Sequence, residues 1–231
     1  MISSVQHPKV KQWAKLQHKK ERDHSGTFLV VGDHLIEEAK RANALIEVLV
    51  CEAHPEYPHA HVLSPHVMKK IIGTEVPIAG VAKKNHPQSK RYRGLVLDRV
   101  QDPGNVGTLL RSASAFGFDW VMLYQSADIY SLKVVSSSQG ALWQCECEIL
   151  ESLDDVDRYR NSHVWVATTL DGSPGLPPQE KPLLLLLGNE GAGLDPSLIE
   201  KADYRLTITT QTVESLNVAV AGSILMHQLK N

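Results

Sequence analysis

Three short stretches concentrate the residue types that do chemistry: Asp102-Pro103-Gly104-Asn105-Val106-Gly107 running on to Arg111, Leu187-Gly188-Asn189-Glu190-Gly191-Ala192-Gly193-Leu194, and Glu214-Ser215-Leu216-Asn217-Val218. In the first, Val106, Leu109, Leu110, Ala113 and Phe116 recur at helical spacing. At about 100° per residue, Arg111 projects almost opposite that stripe. Its neighbours Gly107, Thr108 and Ala115 are small, so a ligand can approach the guanidinium closely. A lone arginine on a helix is usually just a solvated charge, but the Asp-Pro-Gly-Asn turn fixes where this helix begins.

In the second stretch, three glycines within six residues let the backbone take positive φ and come close to a ligand. A Lys-Ser or Lys-Thr pair is missing, which rules out a Walker-type phosphate loop, and the glycines follow their strand too loosely for a dinucleotide fingerprint. Glu190, placed between glycines after a buried strand, is expected to be partly desolvated and to need a partner. The third stretch enters a last helix that is apolar nearly all round: Leu216, Val218, Val220, Ile224, Leu225, Met226 and Leu229. Such a helix lies deep in a core or is covered by a partner subunit. Ser215 and Asn217 stand at its start, where free backbone amides and polar side chains can hold a ligand.

The elements that must position these stretches read as α/β. Pro8 opens a helix, Phe28–Val31 is a buried strand, and Asp33 caps a helix to about Ala42. Ile46–Val50 is a strand, Ser64 caps a helix to Ile72, and Ile78–Val81 is a third strand. After the polar, proline-containing residues 86–93 come larger strands at Gly94–Leu97, Trp120–Tyr124, Val164–Thr168, Leu183–Leu187 and Tyr204–Ile208. Near-continuous apolar strands alternating with helices predict a mainly parallel sheet covered on both faces. Ligands of such sheets sit beyond the carboxyl ends of the strands, and all three stretches fall there. The division expected is 1–85, a linker at 86–93, and 94–231.

Length and composition set the frame. With 231 residues, 42% hydrophobic and 22% charged, the chain can bury a proper core. No apolar run approaches the roughly 20 residues of a membrane helix, and Met1-Ile2-Ser3-Ser4 does not open a secretory signal. A cytoplasmic protein with reduced Cys51, Cys145 and Cys147 is expected. His54, His59, His61 and His66, interleaved with prolines, lack ligand spacing, so no metal site is expected. The net charge of −2 excludes a chain basic all over, yet Lys9, Lys11, Lys15, Lys19, Lys20 and Arg22 cluster near the start, and Lys83, Lys84, Lys90, Arg91 and Arg93 cluster later. Either a phosphate-docking face or a solvated helix face fits these clusters.

Taken together, Asn105-x-Gly107-x-x-x-Arg111-x-Ala113-x-Ala115-Phe116-Gly117, Leu187-Gly188-x-Glu190-Gly191-x-Gly193 and Ser215-Leu216-Asn217-Val218-x-Val220-Ala221 resemble the signature of SpoU-family methyltransferases of the SPOUT superfamily. The segment from Ser3 through Lys19, Arg22, Phe28 and Gly32 to Glu38-Ala39 is similar to the substrate-binding domain that precedes many of their catalytic domains. The resemblance implies a deep trefoil knot, a homodimer, bound S-adenosylmethionine, and methylation of a ribose 2′-hydroxyl in RNA. It implies that Leu187, Gly188, Asn189, Ile208 and Leu216 hold the cofactor, that Asn105, Arg111, Glu190, Ser215 and Asn217 are the polar active-site positions, and that Lys15, Lys19 and Arg22 meet RNA. Ribosomal RNA is expected rather than tRNA, with a tRNA enzyme or a non-catalytic RNA-binding protein as alternatives.

The cofactor's sulfonium makes its methyl electrophilic, so the protein's work is alignment and help to a weakly acidic hydroxyl. Arg111, whose guanidinium ordinarily keeps its proton, either accepts the proton beside a phosphate or positions the RNA electrostatically. Three departures stand out. Ile208 is followed by Thr209-Thr210 rather than Pro-Met, Ser136 stands where relatives often carry arginine, and no long extension follows the third motif before Asn231.

Overall fold

The computed structural model describes residues 1–85, 87–176 and 181–230, so His86 of the expected linker and the terminal Asn231 lie outside the described residues. The chain forms two compact units. One comprises Met1–Asn85 and Asp128–Trp143, and the other takes the described residues of 86–127 and 144–231.

In the first unit the order is α1 (Pro8–Lys15), α2 (Lys19–Ser25), β1 (Thr27–Val31), α3 (Asp33–Arg41), β2 (Leu45–Val50), β3 (His61–Val62), α4 (Pro65–Ile72) and β4 (Ile78–Lys83). The sheet runs β1-β4-β2-β3, with β4 antiparallel to β1 and β2, and β3 parallel to β2. Val10 and Trp13 of α1 meet Met68 and Ile71 of α4 over Leu29 and Leu49. Asp33 is not the cap expected: Gly32, at φ 91°, takes that place, and Asp33 enters the first turn, where its charge still suits the helix dipole. Ser64 does stand at the N-cap of α4, but its hydroxyl pairs with His66 Nδ1 rather than with an amide.

Helix α2 escapes a periodicity reading because its only buried residue is an arginine. Arg22 is 5% exposed. Its guanidinium donates to the carbonyl oxygens of Leu16 at 2.7 Å and Gln17 at 2.8 Å, and pairs with Asp128. The expectation that Arg22 meets RNA is therefore corrected: it satisfies carbonyls left open at the end of α1 and is closed off from solvent. Replacing Arg22 with Ala should leave Asp128 without its cation and cost about 3–5 kcal/mol, the usual penalty for breaking a buried pair from one side. Urea unfolding measures this, and a change below about 0.5 kcal/mol, the surface-substitution level, would contradict it.

The second unit holds β5 (Arg93–Asp98), α5 (Pro103–Phe116), β6 (Trp120–Tyr124), β7 (Glu146–Leu150), β8 (Val164–Ser173), β9 (Leu183–Leu187), α7 (Pro196–Lys201), β10 (Tyr204–Leu206) and α8 (Val218–Leu229). Its strands run β10-β8-β9-β5-β6-β7, every neighbouring pair parallel. The five leucines of β9 are all buried because both faces are covered. Leu184 and Leu186 join Trp120, Trp165, Val156 and Leu198 on one side. Leu187 meets α8 on the other, where a Cβ on Gly222 would lie 2.7 Å from Leu187 Cδ1 and 2.6 Å from Leu109 Cδ2.

Strand β10 ends two residues sooner than expected. The register slips between Arg205 and Leu206, where Gly172 lies so close that a Cβ there would sit 2.7 Å from Arg205 O. Residues 207–217 thereby leave the sheet as a loop. Helix α8 buries Ala219, Gly222, Leu225, Met226 and Leu229, while Val220 stays 49% exposed.

Residues 128–143, which carry α6 (Leu132–Ser138), come from the connection between β6 and β7 yet pack within the first unit. Fully buried Phe28 stacks 4.9 Å from Tyr130 and 6.0 Å from Trp143. The first unit's core thus depends on side chains that lie far outside residues 1–85. Cys51, Cys145 and Cys147 are free thiols, and no described helix is long and apolar enough to cross a membrane.

Candidate active site

Helix α5 begins where Asp102 Oδ1 accepts the Asn105 N–H at 2.9 Å, with Pro103 in its first turn. The N–H of Asp102 in turn donates to Glu190 Oε1 at 3.0 Å, and that of Gln101 donates to Glu190 Oε2 at 3.2 Å. Asn105 Nδ2 adds a third donor to Glu190 Oε1 at 3.0 Å. Glu190 therefore has the partners its position demanded. Burial works to raise its pKa, but the hydrogen bonds from Asn105 and the backbone outweigh that and hold the carboxyl below its ordinary range.

Asn217 closes the chain of contacts. Its Oδ1 caps α8 by accepting the N–H groups of Ala219 at 2.9 Å and Val220 at 3.3 Å, and its Nδ2 donates to Asn105 Oδ1 at 3.0 Å. Segments more than eighty residues apart are thus joined as Glu190–Asn105–Asn217.

The glycine-rich turn is held from inside. Asn189 and Gly193 exchange backbone hydrogen bonds of 3.0 Å, with Gly193 at φ 73°. Asn189 Oδ1 accepts the N–H groups of Gly191 and Ala192 at 2.9 Å, and Nδ2 donates to Arg99 O at 2.8 Å. Those bonds commit the side chain of Asn189, a residue expected to hold a ligand, to shaping the turn.

A cavity of about 610 Å³ opens beside this turn. It is lined by Leu187, Gly188, Asn189, Ile208 and Leu216, and also by Glu190, Ser215 and Asn217. Ile208 faces it despite the Thr209-Thr210 departure. Thr168, Thr169, Leu170 and Asp171 line it too. They escaped the sequence reading because β8 was expected to stop at Thr168; the polar run past that point is the only signal they leave. The apolar wall of Leu187, Leu206, Ile208, Leu216 and Leu225 suits a flat ring, and the carboxylates of Asp171, Glu190 and Glu214 suit a cation.

Arg111 is not among the residues lining the cavity. It is exposed on α5 and has no hydrogen-bond or ion-pair partner among the described residues. In the first unit, Lys15 lies 4.0 Å from Glu21 and Lys19 lies 2.8 Å from Asp23, both with exposed side chains. No group of His, Cys, Asp and Glu suited to a metal occurs among the described residues.

Comparison with known proteins covers nearly the whole chain. The model of the SpoU rRNA Methylase family matches residues 93–227, and that of the MRM3-like substrate binding domain matches residues 7–90. The chain is 35% identical to the 23S rRNA (guanosine(2553)-2′-O)-methyltransferase RlmP of Bacillus subtilis, over 99% of this chain and 98% of that protein. An AdoMet-bound rRNA methyltransferase from Sinorhizobium meliloti superposes with a TM-score of 0.83 at 28% identity, covering 99% of this chain and 96% of that one. AviRb from Streptomyces viridochromogenes, solved with AdoMet, shares the fold with a TM-score of 0.85 at 23% identity over 97% of both chains.

Proposed function

The chain belongs to the SpoU rRNA methylase family, and from that premise we propose that it transfers the methyl group of S-adenosylmethionine to a ribose 2′-hydroxyl of ribosomal RNA. The observation that carries this reading is the hydrogen-bonded chain Glu190–Asn105–Asn217 beside the 610 Å³ cavity. Pockets that bury a small ligand usually span about 300–1,000 Å³. The donor set fits the cofactor: an apolar wall for the adenine, backbone groups of the 188–193 turn for its polar edges, and carboxylates for the sulfonium.

S-adenosylmethionine, when bound, supplies the electrophilic methyl. The chain's own residues do the rest. Leu187, Gly188, Ile208 and Leu216 hold and orient the cofactor, and Glu190 fixes the start of α5 through the N–H groups of Gln101 and Asp102. Asn105 and Asn217 tie that start to α8. Arg111, exposed and without a partner among the described residues, is free to meet an RNA phosphate and hold the ribose in line for attack. The trefoil knot, the homodimer and the cytoplasmic location belong to the same reading.

Full-length similarity to RlmP, N-terminal segment included, favours rRNA over tRNA. Transfer of labelled methyl from S-adenosylmethionine to purified rRNA and tRNA tests this, with mapping of 2′-O-methyl sites in cells with and without the gene. Binding of RNA without binding of S-adenosylmethionine would instead favour the non-catalytic alternative. In the N-terminal unit, Lys15→Glu with Lys19→Glu should weaken RNA binding and flatten its salt dependence, by about one unit of slope for each phosphate that a lysine no longer neutralises. An unchanged slope would mean that these lysines only face solvent.

A further inference from the structure

At the carboxyl end of β5, Asp98 is fully buried and Arg99 beside it adopts a left-handed conformation at φ 57°. A buried carboxylate and a left-handed non-glycine residue are each unfavourable, and their coincidence at one point calls for a reason. Arg99 Nε meets Asp98 Oδ1 at 2.7 Å and its Nη2 meets Oδ2 at 2.8 Å. Asp98 Oδ2 also accepts the N–H of Asp195 at 2.8 Å. The backbone oxygen of Arg99 accepts Asn189 Nδ2 at 2.8 Å, and its N–H donates to Tyr124 O at 2.8 Å.

We propose that Asp98 is a positioning residue for methyl transfer: through Arg99 and Asp195 it clamps both ends of the 189–195 turn to the end of β5. The proposal rests on the functional reading above. Asn189 marks the entry to that turn and Asp195 its exit, where Asp195 also caps α7. Between them lie Glu190, which holds Asn105, and the cavity wall of residues 191–194. Neither Asp98 nor Arg99 lines the cavity, so both act at one remove. The left-handed turn at Arg99 folds its guanidinium back onto Asp98 while its carbonyl faces Asn189. A fixed turn places the cofactor wall and Glu190 without reorganisation on binding.

The isosteric Asp98→Asn keeps the side chain's shape but removes the charge that holds Arg99. Amide hydrogen exchange, calorimetric titration with S-adenosylmethionine, and methyl transfer at saturating cofactor and RNA are read on the full chain. Exchange should rise locally at Gly191, Ala192 and Asp195, while the strands of the second unit keep their protection. Cofactor affinity and the saturated rate should each fall about 10–100-fold, the loss seen when outer partners of directly acting groups are removed, with RNA affinity unchanged. Asn189→Asp, which cuts the same clamp from the turn side and leaves Asp98 paired with Arg99 and Asp195, should raise exchange at Gly191 and Ala192 even if Asp98→Asn does not fold. Unchanged exchange in the turn, or a uniform rise with cofactor affinity and saturated rate intact, overturns the proposal. If the wild type moves no methyl to RNA while the local exchange pattern appears, the functional reading falls and the clamp stands.

Discussion

Arg111→Ala should lower methyl transfer by at least about 10²–10³-fold, the loss typical of removing one preorganised donor from a transition state, while leaving S-adenosylmethionine affinity within about twofold. The separation follows from where Arg111 stands. It does not line the cavity, and it bonds to nothing among the described residues. Nothing in the fold depends on it, so stability should change by less than about 0.5 kcal/mol. Its guanidinium is a charge held ready for something outside the chain. Arg111→Lys then divides the two roles left open. A lysine retains the positive charge but not the guanidinium, so electrostatic positioning of the RNA should largely survive it, and proton acceptance by the guanidinium should not. Single-turnover rates with cofactor titrations make the comparison, and equal loss of cofactor binding and turnover in Arg111→Ala would remove the role.

What could be read from residue types was whatever periodicity or turn chemistry dictates. The stripe from Val106 to Ala113 set the helix that carries Arg111, and its members are buried in the structure. The demand that Glu190 find partners was visible in its setting, but which partners was not, because Gln101 and Asp102 meet it through backbone groups that no side-chain pattern records. Charge misled where burial decides. Arg22 sits in a lysine-rich run and looks like its neighbours, yet carbonyl oxygens and Asp128 draw it inward. Asp98 is the same case with the opposite sign. Strand β7 stayed hidden because Glu146, Cys147, Glu148 and Ile149 are only partly buried or exposed at the sheet edge, leaving no continuous apolar run. The placement of 128–143 in the first unit was equally invisible, since it depends on contacts such as Phe28 with Tyr130 across a hundred residues.

The second large effect belongs to Gly188, whose missing side chain is a requirement of space. A Cβ at this position would lie 2.1 Å from Leu194 N, 2.3 Å from Gly193 C and 2.4 Å from Leu194 Cα. All three are backbone atoms, so no rotamer change can relieve the clash, and the turn itself must open. Opening it moves residues 188–194 of the cavity wall together with Glu190, and so loosens Asn105 and Asn217. Gly188→Ala should therefore cost about 1–3 kcal/mol of stability, as overpacking usually does. It should weaken S-adenosylmethionine binding by about 100-fold, or about 2.8 kcal/mol. Gly191→Ala is the matched control: its Cβ would meet only Asn189 Oδ1, at 3.7 Å, an ordinary contact. Its affinity should stay within about threefold of the wild type, less than the 1.4 kcal/mol of a tenfold change. Calorimetric titration of both variants, with thermal unfolding to register the stability change, decides the matter. Wild-type affinity in a folded Gly188→Ala protein would show that the turn does not form the cofactor's wall.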